Sequence, residues 1–140
     1  MSLSKETMLM KFSDILQQAI SLARAAYQAR MTEGPEDDSP IVHSGSDSSS
    51  LTAEERRLRE FLDAQSAPVV YMLTTIMYLG RGDFDVNELP DQYADISETF
   101  GGPKWAARRM LQTLPLPDYL EEGLKKLADA RLDVDKFLTY

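Results

Sequence analysis

The stretch APVVYMLTTIMYLGRGD, Ala67 to Asp83, holds nine apolar residues among the eleven from Val69 to Leu79, and they point to every side of a helix. A helix that is apolar all round sits in the middle of a domain, with neighbours on several faces. Val, Tyr, Ile and Thr also form strands, so a buried strand is the competing reading. Two features favour the helix. The run is longer than a usual strand, and Pro68 stands in a first turn, where its missing N–H costs nothing. Gly80-Arg81-Gly82-Asp83 closes the segment. One glycine suits the left-handed position after a helix, and Arg81 suits its negative end. Asp83 or Asp85 can cap the next helical element.

The same punctuation organises the chain on both sides. Thr52-Ala53-Glu54-Glu55 is a capping box that opens a helix running to about Gln65. That helix turns Leu58, Phe61 and Leu62 inward and Arg56, Arg57 and Arg59 outward. Downstream, Pro90 argues against one continuous helix from Val86. The reading is a short turn over 86–89 and a helix from Pro90 to Phe100. Gly101-Gly102 stops that helix, and Pro103 starts another that ends near Thr113. Pro115 and Pro117 bracket the next junction. Asp118 to Ala130 is the last strong helix, with Leu120, Leu124 and Leu127 inward, and a terminal turn spans Asp133 to Leu138.

Residues 4–30 carry a helical period of their own, in which Phe12, Ile15, Leu16, Ala19, Leu22, Ala23 and Ala26 share one face behind a Ser4 cap. From Thr32 to Ser50 the chain reads TEGPEDDSPIVHSGSDSSS, too poor in apolar residues to offset its ordering entropy. The predicted architecture is all-α: a compact bundle of about five to six helices with a separate N-terminal amphipathic helix. It divides into an amphipathic helix over 1–30, an acidic Ser/Pro/Gly-rich disordered linker over 31–50 and a helical domain over 51–140. The helix has three fates: docking on its own domain, swapping onto a second copy, or lying in a partner's groove.

Composition excludes more than it names. The 140 residues include no cysteine, which removes disulfides, thiolate metal sites and cysteine nucleophiles together. The one histidine, His43, falls in the linker, so no nucleophile–base pair can be written around it. Net charge is −8, with +2 on residues 1–30, −5 on 31–50 and −5 on 51–140. A nucleic-acid surface needs a basic stripe, and the overall field here repels polyanions. The acidic run Asp83, Asp85, Glu88, Asp91, Asp95 and Glu98 lacks the spacing of a calcium loop, so no metal or cofactor is expected. No apolar segment approaches the roughly 20 residues of a membrane span. With no export signal in view, the expected setting is cytoplasmic, without membrane contact.

The segments TIMYLGRGD (Thr75 to Asp83) and PLPDYLEEGLKKL (Pro115 to Leu127) resemble a bacterial family, domain-of-unknown-function family 3775. Its members carry an LGRGD-type motif and, further on, a DYLEEGL-type motif. The resemblance covers Ala67 to Leu127. Between the motifs the family tends to an aromatic–Leu-Leu-Gly sequence, where this chain has Arg108-Arg109-Met110-Leu111-Gln112. The resemblance implies a small helical bacterial protein and no particular activity.

The residues support two functional readings. One is a non-catalytic interaction or accessory module that binds a protein partner or a second copy of itself. Its surfaces are the stripe Phe12, Ile15, Leu16, Ala19 and Leu22, and Trp105, a residue type enriched in interfaces. The other is a small-ligand binder or enzyme built on Arg81, Asp83, Asp118, Glu121 and Glu122, in which Arg81 meets an acidic residue of 118–122. Against that stands a plain structural role: Asp118 and Glu121 form a second capping box, and acidic residues suit a helix start.

Overall fold

A computed structural model describes residues 11–33, 51–113 and 115–132. They form six α-helices: α1 (Phe12–Glu33), α2 (Ala53–Asp63), α3 (Ala67–Arg81), α4 (Leu89–Thr99), α5 (Pro103–Gln112) and α6 (Leu116–Asp129). A single 3₁₀ turn, Val86–Glu88, precedes α4, and no strand occurs among the described residues. The fold is an all-α bundle, as the sequence pattern predicts.

Helix α3 is the central element. Val69, Val70, Met72, Leu73, Ile76, Met77 and Leu79 are all buried, and α4, α5 and α6 pack around it. The two threonines that left a strand open are fully buried, and each is satisfied inside the helix. Thr74 Oγ1 donates to the Val70 carbonyl at 2.8 Å, and Thr75 Oγ1 donates to the Tyr71 carbonyl at 2.7 Å. Bonding back four residues lets a hydroxyl lie in an apolar core without an unpaired polar atom.

The helix ends are set by local chemistry. At α2, Thr52 Oγ1 accepts from the Glu55 N–H at 3.0 Å while Glu55 Oε1 accepts from the Thr52 N–H at 2.9 Å. At the end of α3, Gly82 takes φ 94°. Its N–H donates to the Leu79 carbonyl, and the Asp83 N–H donates to the Tyr78 carbonyl at 3.1 Å. This pair of bonds is a Schellman closure, and its left-handed residue is one that glycine adopts without a Cβ penalty.

Helix α1 is set apart in the sequence but belongs to the bundle in space. Phe12, Ile15, Leu16 and Ala19 are buried in the same core as α3, and Leu22 packs against it half-buried. The seat is formed by α2 and α6. The stripe predicted as a surface for a partner or second copy is therefore covered by the chain itself. The physical reason is area: α6 turns only part of its apolar face toward α3 and α2 only part of its own toward α5, and α1 closes the remainder. Helix α1 also continues through Met31 to Glu33, so the segment read as linker begins later than residue 31. The Ser4 cap, residues 34–50 with His43, and the turn over 133–138 lie outside the described residues.

Candidate functional site

The two sequence motifs meet, through glycines rather than through charges. A Cβ added to Gly80 would land on the Tyr119 carbonyl oxygen and lie 2.8 Å from the Gly123 nitrogen. One added to Gly123 would land on the Ile76 carbonyl oxygen and lie 2.7 Å from Ile76 Cγ2. Each helix thus presents a hydrogen where any other residue presents a methyl group, and α3 and α6 touch backbone to backbone. The glycine Cα–H groups face carbonyl oxygens across the crossing, a weak attraction of about 0.5–1 kcal/mol each. Lys126 extends the joint by donating from Nζ to the Leu79 carbonyl at 3.0 Å, at the negative end of α3.

The charged residues of both motifs point away from this joint. Arg81 lies over the Tyr78 ring, 5.4 Å from its centroid, and its Nε is 3.4 Å from Asp83 Oδ2. Glu121 pairs with Arg24 of α1, whose guanidinium is held further above its ordinary range by that hydrogen bond and charge. Asp118 and Glu122 are exposed. Among the described residues no ion pair joins Arg81 to positions 118–122, so the expected polar cluster does not form. The rotation of α6 is fixed by Gly123, which turns Asp118, Glu121 and Glu122 outward. Asp118 is also not a cap. Helix α6 begins at Leu116, behind Pro115, and Asp118 sits in its first turn, where it complements the helix dipole.

The clefts do not gather these residues either. One of about 440 Å³ is lined by Phe84, Val86, Lys126 and Asp129 among others, and one of about 230 Å³ by Leu62, Asp63, Gln65, Pro103 and Lys104. None of the five motif candidates lines either cleft. Among the described residues no group of three or more His, Asp or Glu could hold a metal ion, and no helix is long and apolar enough to cross a membrane. Burial pushes the Tyr93 phenol up, with the neighbouring Tyr71 adding to the effect.

The remaining candidate is Trp105, on α5. Ala106, Ala107 and Met110 anchor this helix in the core. Trp105 is on its open side with 58% of its surface exposed. The indole rests against Gly102, where an added Cβ would be 3.8 Å from Trp105 Cδ1. Arg108 lies over the ring at 5.6 Å from the centroid, and Lys104 and Arg109 are exposed beside it.

A family model matches residues 55–128, described as a protein of unknown function, DUF3775. The chain belongs to the DUF3775 family. No curated protein and no solved structure matches it. The DUF3775 match spans both glycines of the crossing, Lys126 and the Trp105 surface, while α1 lies outside it. The sequence shows two motifs that both lie inside the matched range but does not show what joins them. The signal was present: each motif puts a glycine inside a helix, where a residue with a side chain is the better helix former. Arg24, Arg30 and Lys126, which tie elements together, carried no comparable signal, and the capping box at Glu55 gave no sign that the same carboxylate pairs with Arg30.

Proposed function

We propose that this DUF3775 domain acts by binding another protein and not by catalysis, with α5 as its contact surface. The observation that carries this reading is Trp105. Large apolar side chains of the described residues are otherwise drawn into the core or half-covered, apart from Met31 at the end of α1. A tryptophan brings roughly 150–250 Å² of contact area and a polar N–H on a rigid frame, which is why it recurs at the centres of interfaces. The helix beneath it is fixed by three buried residues, so the indole is presented with little loss of freedom on binding. The stripe of α1 is not part of this reading, because the chain's own helices cover it.

The test compares the full-length protein with Trp105→Ser as baits in extract from cells that make the protein. The substitution is on the surface and should leave the melting temperature unchanged. The wild type should retain a specific partner that the variant loses. Identical sets of retained proteins would remove Trp105 from the function.

A further inference from the structure

The chemistry around Trp105 narrows the partner. Between Pro103 and Gln112, α5 carries Lys104, Arg108 and Arg109 and no Asp or Glu. None of the three cations is in an ion pair among the described residues. The cleft that Lys104 lines also holds the Asp63 carboxylate, which faces Arg59 at 3.9 Å. On the next helix back, Glu98 is exposed. A chain of net charge −8 thus keeps a cationic, aromatic face on one helix. At physiological salt the screening length is about 8 Å, so an approaching ligand responds to this local face more than to the distant negative charge.

The geometry points to an acidic, extended peptide segment as the ligand of this face, a conclusion that rests on the binding reading above and specifies its partner. Lys104 and Arg108 are one helical turn apart on the same side, about 6 Å along the axis. In an extended chain, side chains two residues apart lie on one face, separated by roughly 6.6–6.8 Å. Two carboxylates in the pattern acid–any–acid therefore match the two cations. Arg108 lies over the indole with no ion pair to a carboxylate of the described residues, so its planar fork can bind an incoming carboxylate in two places. An apolar side chain next in the segment would cover Trp105. A duplex or single strand of nucleic acid would ask for a longer basic track than three side chains on one short helix.

Trp105 is the only tryptophan in the chain, so its emission reports this face alone. The experiment titrates the full-length protein with a synthetic peptide of alternating glutamate and serine closed by a leucine. Alongside run its lysine counterpart and oligothymidine. The expected result is a saturable blue shift with the acidic peptide only, weakened by added salt. Arg108→Gln and Lys104→Gln should each weaken it about tenfold or more, the scale of one charge-assisted hydrogen bond. No shift at millimolar peptide overturns the proposal, as does an equal shift with the lysine peptide or one indifferent to both substitutions. A stronger shift with oligothymidine overturns it in favour of nucleic acid. If Trp105→Ser loses a partner from extract while the acidic peptide gives no shift, the binding role stands and the acidic chemistry falls.

Discussion

Helix α6 makes two joints, and they are built on different principles. Against α3 it meets a backbone: Gly80 and Gly123 bring the main chains together at one crossing, and there is no slack for a methyl group. Against α1 it meets side chains: α1 brings Phe12, Ile15, Leu16 and Ala19 into the shared core, and the Arg24–Glu121 ion pair links the two helices. The first joint lies inside the DUF3775 match and the second involves a helix outside it. A backbone crossing accepts one geometry only, because any added atom displaces a whole helix. A side-chain interface can be filled by many combinations of similar volume. The contrast is between a joint that fixes one approach of two helices and a joint that many side-chain sets could make.

Substitutions can break this contrast in order of size. Gly123→Leu should cost the most, more than about 4 kcal/mol, since the side chain collides with the Ile76 main chain and forces α3 and α6 apart. Chemical denaturation should find little folded protein, and a wild-type midpoint would mean the crossing is not close. Phe12→Ala empties a fully buried site on α1 and should cost about 3–4 kcal/mol, read from the denaturation midpoint. A loss below about 1 kcal/mol would show that α1 is not seated on the bundle in solution.

Within one motif, Gly82→Ala separates conformation from space. Nothing lies within 4 Å of an added Cβ there, but φ is 94°. The cost should be about 1–2 kcal/mol, from the left-handed backbone alone. Gly80→Ala should exceed it in the same assay, because the Cβ meets the Tyr119 carbonyl. The smallest effect belongs to Arg24→Ala. Its partner is solvent-exposed, and such surface pairs contribute little. Its thermal melt should overlay the wild type, with any difference shrinking further in high salt.

The bundle was legible because its signals are local. The capping box at Thr52, the prolines at 68, 90 and 103 and the glycines after α3 and α4 mark helix ends through backbone chemistry that each segment carries by itself. The start of α6 was misplaced for the same kind of reason. Asp118 followed by Glu121 satisfies a capping pattern, yet Pro115 and Pro117 allow the helix to begin one turn earlier. Pairings across space were not legible. Which acid Arg81 would face depends on how α3 and α6 are rotated about their own axes, and that rotation is fixed by Gly80 and Gly123 in contact. The seat of α1 was open for a different reason: a helical period shows that one face is apolar and does not say which neighbour will cover it.

Glu55 ties two events that the sequence keeps far apart. Its Oε1 accepts the Thr52 N–H that begins α2, and the same carboxylate receives Arg30 of α1 at 2.6 and 3.0 Å. One side chain is at once the first fastening of α2 and the landing point of α1. When α1 lifts away, the opening turn of α2 loses part of what orders its carboxylate, so fraying of one should spread to the other. In hydrogen exchange, the amides of that first turn and those of the last turns of α1 should open together, as one cooperative unit bridging 25 positions of sequence.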